Sequence, residues 1–258
     1  MTRKVVVIIH GAGKQPDDYP QAEVDALKKE LGYQPDYLAA RYDDVAAGCS
    51  WRKLGDKETR IAAEGAMVRW ERALRLQVTL QEYVRTGHWP EVEGRVTVQS
   101  LPAGLKFTIE SCVRYLLADP SFQKAVQAQL IEPLQQAAAE YDETILVSHS
   151  LGSVVSLDVL RQHAASYPLT TWFTMGSPLR WLVGLGLHSG NLGQIDTQTV
   201  RFWHNLYDTT DLIASALAPA FSPYNLYDDF VDISATFPDA HHYWDNDEAV
   251  RIIADTLR

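Results

Sequence analysis

Ser148-His149-Ser150-Leu151-Gly152 follows the apolar run Thr144-Ile145-Leu146-Val147 and leads into Ser153-Val154-Val155-Ser156-Leu157. Strand, tight turn and apolar helix in that order are the setting of a nucleophile elbow. Such a turn strains its central residue and presses strand against helix, so small residues are needed two positions before and two after it. Gly152 meets the second need; Ser148 stands at the first, where glycine is usual, and adds a Cβ where clearance is tight. Ser150 is the candidate nucleophile. A serine hydroxyl reacts poorly until a base takes its proton and an acid orients that base. The chemistry such a set performs is acyl transfer through a covalent intermediate.

Two further apolar runs end in glycine turns. Ile9-His10-Gly11-Ala12-Gly13 ends the first apolar run in a glycine turn, and Phe173-Thr174-Met175-Gly176-Ser177-Pro178-Leu179 ends a later one. Reading Gly11-Ala12-Gly13-Lys14 as a phosphate loop fails on spacing, because Gln15 and Pro16 stand where a Ser/Thr and a helix should follow. With the elbow, the HG turn and the T-M-G-S-P-L turn together, the chain resembles the α/β-hydrolase superfamily. The resemblance implies an oxyanion hole built from the backbone N–H groups of Ala12 and Leu151, and a chain order of serine, then acid, then histidine.

On that order the acid comes from Asp208-Thr209-Thr210-Asp211-Leu212-Ile213. Asp211, just before an apolar helix-like start, is preferred to Asp208, which lies nearer the end of the preceding strand. Either could instead be the N-cap of a helix starting at Leu212. The base comes from Asp239-Ala240-His241-His242-Tyr243. Adjacent residues do not both point at Ser150, and His241 is preferred to His242. His149 is expected to point away from the base position. A metal site of His204, His241 and His242 has no HxxxH, HxxEH or cysteine partner to support it.

Positioning these groups requires a parallel sheet. Val5 to Ile9 is β-branched without polar alternation, as a strand buried on both faces would be. Tyr37 to Tyr42, Thr144 to Val147, Thr171 to Met175 and Thr199 to Leu206 are further predicted strands. Helical patterns cover Ala22 to Leu31, Ile61 to Val84, the stretch after Asp119-Pro120, and the C-terminus through Val250, Ile253 and Leu257. The alternation predicts an α/β fold, a mainly parallel sheet flanked by helices. About 100 residues separate the second and third strands where a crossover needs about 12, so a helical insertion is expected over roughly 45 to 140. It contains Trp51, Trp70 and Trp89, and reads either as packing or as a substrate-facing cap. No linker or repeat divides the chain, so residues 1–258 are expected to form one domain.

Composition narrows the partners. The 258 residues carry a net charge of -10, the wrong sign for holding nucleic acid or an anionic leaflet. No apolar run approaches the roughly 18 residues of a membrane span, and the one after Met1-Thr2-Arg3-Lys4 stops at His10, too short for a signal peptide. A cytoplasmic location is expected. Cys49 and Cys112 have no CxxC spacing and read as packed small hydrophobes. The sequence therefore points to a serine hydrolase of a carboxylic ester, esterase- or lipase-like, needing no metal or organic cofactor. A soluble or short-chain lipid ester is the expected substrate. An acyltransferase, a thioesterase or a non-catalytic binding protein on the same fold are the alternatives. Oligomeric state is not legible.

Overall fold

In the computed structural model, residues 2–43, 45, 57–86, 103–221, 225–235 and 239–258 are described. The elements are β1 (Lys4–Ile9), α1 (Gln21–Leu31), β2 (Asp36–Ala40), α2 (Lys57–Thr86), α3 (Ala103–Leu117), α4 (Pro120–Glu140), β3 (Glu143–His149), α5 (Leu151–His163), β4 (Leu169–Met175), α6 (Leu179–Gly184), β5 (Val200–Tyr207), α7 (Ala218–Phe221), β6 (Leu226–Phe230) and α8 (Asp247–Leu257). The six strands pair in the order β2-β1-β3-β4-β5-β6, all parallel. The chain leaves β1 to one side for β2 and returns to the other for β3. The strand order reverses between β1 and β3, and open α/β sheets bind ligands at the carboxyl ends of strands beside such a reversal.

Side-chain alternation divides the core into two layers. Val5, Val7, Ile9, Leu146, Trp172 and Trp203 face α4 and α5. Val6, Ile8, Ile145, Val147, Phe173 and Leu206 face α1 and α8. Both faces are covered, which is why the strands read as continuous apolar runs rather than alternating ones. The five predicted strands, and the helices expected over 22–31, 61–84, after Asp119-Pro120 and at the C-terminus, are present within a few residues of their expected bounds. The additional strand, β6, is L-Y-D-D-F at the sheet edge, half exposed and too acidic to read as a strand.

The long excursion between β2 and β3 divides in two. Helix α4 buries Val126, Leu130, Leu134 and Ala137 and packs on β1, β2, β3 and α5; it is the crossover itself, so the expected insertion shortens to the chain before it. Within that chain Ala63, Ala66, Trp70, Ile109, Cys112 and Val113 are buried in the same layer as α5, and the Tyr115 hydroxyl donates to Asp158 of α5 at 2.9 Å. Packing accounts for these residues. Phe107 on α3 differs: it is 47% exposed and lies 3.6 Å from where a Cβ on Gly13 would be. Cys49, Trp51 and Trp89 lie outside the described residues, as do the side chains of Leu74, Leu76, Val78, Leu80 and Val84.

No helix starts at Leu212. Residues 211–217 form turns and irregular chain up to α7, because Ile213 and Leu217 enter one core layer and Ala214 the other. A helix would place all three on one face. A buried polar chain holds this segment. Trp203 stacks on Trp172 with ring centroids 4.3 Å apart and donates its indole N–H to Thr174 Oγ1 at 3.1 Å. Thr174 donates to Asn205 Oδ1 at 3.1 Å, and the Asn205 amide donates to Asp228 Oδ1 at 2.7 Å. Asp228 also accepts the N–H groups of Leu217 and Ala218 at 2.6 and 2.8 Å. Asp228→Ala leaves these donors without their acceptor and is expected to cost about 2 to 4 kcal/mol in urea unfolding. A loss below about 0.5 kcal/mol would contradict this account of the segment.

Candidate active site

Ser150 sits between β3 and α5 with φ 52° and ψ -124°, a conformation that costs a residue with a Cβ on the order of 1–3 kcal/mol and persists only where its surroundings enforce it. Its N–H donates to the Met175 carbonyl at 2.8 Å, and its carbonyl accepts from Ser153 Oγ at 2.6 Å. A Cβ on Gly152 would lie 2.5 Å from the His10 carbonyl oxygen, and one on Gly11 would lie 2.7 Å from Ser150 Cβ. Glycine is therefore required at both positions for the first strand's loop and the elbow to meet. Ser148 is more than a tolerated small residue. Its buried Oγ accepts the Trp172 indole N–H at 3.0 Å and pairs with Ser156 Oγ at 2.8 Å.

His241, in a short 3-10 turn (Asp239–His241) after β6, is 9% exposed. Its Nδ1 lies 2.7 Å from Asp211 Oδ2. A carboxylate accepts only, so Nδ1 carries the proton and Nε2 is left as the lone-pair nitrogen. Asp211 is wholly buried. Its Oδ2 also accepts the Tyr243 hydroxyl at 3.0 Å, and its Oδ1 accepts the Ile213 N–H at 2.9 Å. Burial pushes the Tyr243 phenol well above its ordinary range, so it stays a donor. On the imidazole's other side, a Cβ on Gly176 would lie 2.7 Å from His241 Cε1. The glycine of the T-M-G-S-P-L turn makes room for the ring.

The paired alternatives have different surroundings. Asp208 Oδ1 accepts the N–H and hydroxyl of Thr210 at 2.6 and 2.8 Å, and its Oδ2 accepts the Ile233 N–H at 2.7 Å. Asp208 ties the loop after β5 to the chain leaving β6. His242 is exposed, 3.7 Å from Asp245. His149 does not point away as expected. Its ring centroid lies 4.7 Å from that of His241, and its Nε2 donates to the His241 carbonyl at 3.0 Å. Burial, with His241 adjacent, pushes His149 well below the ordinary histidine range. Among the described residues no group of three or more His, Cys, Asp or Glu is arranged to hold a metal ion.

Leu151 opens α5, so its N–H belongs to the first turn, which has no intrahelical acceptor. Ala12 follows Gly11 in the loop after β1. Sequence reasoning missed the residues that hold that loop, Arg41-Tyr42-Asp43 at the end of β2. The Tyr42 hydroxyl lies 2.9 Å from the Gly11 carbonyl and 3.0 Å from that of His10. Arg41 reaches the Pro16 and Gln15 carbonyls at 3.1 and 3.2 Å, and Asp43 accepts the Gln15 N–H at 3.0 Å. The signal was available only through strand register: Ile9 pairs with Ala40, which sets Arg41-Tyr42-Asp43 beside the HG turn.

Comparison of the chain with protein-family models, with curated proteins and with solved structures found no match.

His10 gives this region a pH dependence. Its Nδ1–H donates to the Gly11 carbonyl at 2.6 Å, its Nε2 accepts the Tyr42 N–H at 3.2 Å, and its ring stacks on Tyr42 at 4.2 Å. Burial outweighs the bond to the Gly11 carbonyl and nearby Asp43 and pushes the imidazole down to about 4. The folded protein then binds fewer protons than the unfolded chain between about pH 4 and 6.5, so this stability is whole above that window and is lost as pH falls through it. From His10 the loss between pH 7.5 and 5 is about 2 kcal/mol, with His149 adding in the same direction. In urea unfolding at the two pH values, His10→Gln should lose less stability than wild type on acidification; an equal loss would contradict the assignment.

Proposed function

We propose that the protein is a serine hydrolase of the α/β-hydrolase type that cleaves a carboxylic ester. The observation that carries the reading is the 2.7 Å Asp211–His241 contact at the same sheet edge as the strained Ser150. Ser150 follows β3, Gly11 follows β1, Gly176 follows β4, Asp211 follows β5 and His241 follows β6. Five loops thus converge at the carboxyl ends of neighbouring strands, beside the direction switch. The strand, elbow and helix, and the order serine, acid, histidine, support the superfamily reading.

In this mechanism Ser150 Oγ attacks the ester carbonyl while His241 Nε2 takes its proton, and Asp211 stabilises the imidazolium through Nδ1–H. The developing oxyanion is met by the N–H groups of Leu151 and Ala12. As the tetrahedral intermediate collapses, the carbon–oxygen bond to the alcohol breaks and His241 returns the proton to the alcohol. Water, deprotonated by His241, then attacks the acyl-enzyme and releases the acid and the free serine. Phe107, exposed beside Gly13, offers the substrate an apolar surface. The net charge of -10 favours an uncharged soluble ester over an anionic lipid surface. Among the described residues no helix is long and apolar enough to cross a membrane.

The test is labelling by a fluorophosphonate probe together with hydrolysis of short and long p-nitrophenyl esters. Ser150→Ala should abolish labelling and lower turnover by on the order of a million-fold, to the limit of detection. Asp211→Asn should lower turnover by about ten-thousand-fold, and Asp208→Asn should act mainly on stability. Labelling that persists in Ser150→Ala, or an Asp208→Asn enzyme slower than Asp211→Asn, would contradict the assignment.

A further inference from the structure

The Ala12 N–H is one half of the peptide group between residues 11 and 12, and the other half, the Gly11 carbonyl, is held twice. His10 Nδ1–H donates to it at 2.6 Å, and the Tyr42 hydroxyl donates at 2.9 Å while sharing its proton with the His10 carbonyl at 3.0 Å. A trans peptide is rigid and planar, so the N–H points opposite to the C=O. Tyr42 follows β2, and β2 lies on the far side of β1 from β3. Ser150 follows β3. The Gly11 carbonyl is directed at the Tyr42 hydroxyl and the His10 ring, so the Ala12 N–H is directed the other way, and a Cβ on Gly11 would lie 3.3 Å from Ser150 Oγ, which puts this peptide beside the serine.

The neighbours of Tyr42 hold the rest of the loop. Arg41 donates to the carbonyls of Pro16 and Gln15, and Asp43 accepts the Gln15 N–H while its Oδ1 takes Arg41 Nε at 2.9 Å. Tyr42 is 2% exposed and Asp43 6%, so Tyr42 makes its bonds out of water, while Arg41 at the far end of the loop is partly exposed. The loop itself, with Gly11 and Gly13, has little stiffness of its own.

We propose that Arg41-Tyr42-Asp43 is the positioning device of the oxyanion site: the Tyr42 hydroxyl and the His10 ring set the direction of the Ala12 N–H, and Arg41 with Asp43 fixes the far end of its loop. The inference rests on the reading of Ser150 as the nucleophile. These residues act through the Ala12 peptide and do not touch the ester. Their effect belongs to the transition state, where the carbonyl oxygen becomes charged, and not to substrate binding.

The test compares wild type with Tyr42→Phe, which keeps the ring stacked on His10 and removes the hydroxyl. On p-nitrophenyl acetate, kcat is expected to fall about 10- to 100-fold with KM within about twofold, and a boronic acid inhibitor, whose adduct mimics the tetrahedral intermediate, is expected to weaken by a similar factor. Arg41→Ala, at the partly exposed end of the loop, should show the same split to a smaller degree and serves if Tyr42→Phe does not fold. Folded variants with wild-type kcat, or a loss confined to KM, would overturn the proposal. A wild-type protein that takes no fluorophosphonate at Ser150 would instead overturn the nucleophile reading on which it rests, so the two failures are told apart.

Discussion

A single strained backbone position organises this molecule. Ser150 leaves a buried parallel strand and starts a buried helix with no intervening loop, at a φ of 52°, and the surrounding structure must hold it there. Its N–H is bonded to β4, its carbonyl to Ser153 of the following helix, and Ser153 Oγ in turn meets Ser177 Oγ at 2.8 Å. Gly152 and Gly11 let the first strand's loop close on the elbow from both sides. With β1 and β3 adjacent and the strand order reversing between them, the serine sits at the carboxyl end of the sheet, where open α/β sheets bind ligands.

Around the serine, the buried carboxylate is matched by donors. Asp211 is removed from water, but its oxygens receive the His241 ring, the Tyr243 hydroxyl and the Ile213 N–H, which is what makes a wholly buried carboxylate tolerable. The neighbouring histidines are handled differently. His10 and His149 are pushed toward neutrality by burial, so neither adds a positive charge beside the His241 ring. Tyr42 and Tyr243 each use a buried hydroxyl to hold a group of the candidate site, the Gly11 carbonyl and the Asp211 carboxylate. The same economy appears in the sheet, where Trp172 and Trp203 find acceptors in Ser148 and Thr174.

How much of this was legible in the sequence depended on the range of the interaction. Strands buried on both faces show as unbroken β-branched runs, and the elbow is local, so Ser150 and its glycine could be read directly. Asp211 and His241 were reachable through chain order, but separating them from Asp208 and His242 required geometry: Asp208 is engaged by Thr210 and Ile233, and His242 turns to solvent. The acidic edge strand β6 was invisible because its Asp228 and Asp229 serve the neighbouring loop and strand rather than a core. The helix expected at Leu212 failed because its apolar residues belong to opposite layers of the sheet. Tyr42 escaped notice because its partner Gly11 is 31 positions away, and only the register of two parallel strands brings them together.

The central claim is that Ser150 carries the acyl group during turnover. The most direct measurement is rapid quenching of the enzyme during hydrolysis of a slowly deacylating ester, followed by mass spectrometry of its peptides. An added mass equal to the acyl group on the peptide holding Ser150, absent from Ser150→Ala, is the result this account requires. Turnover with no acyl adduct on that peptide, or an adduct on another residue, would contradict it.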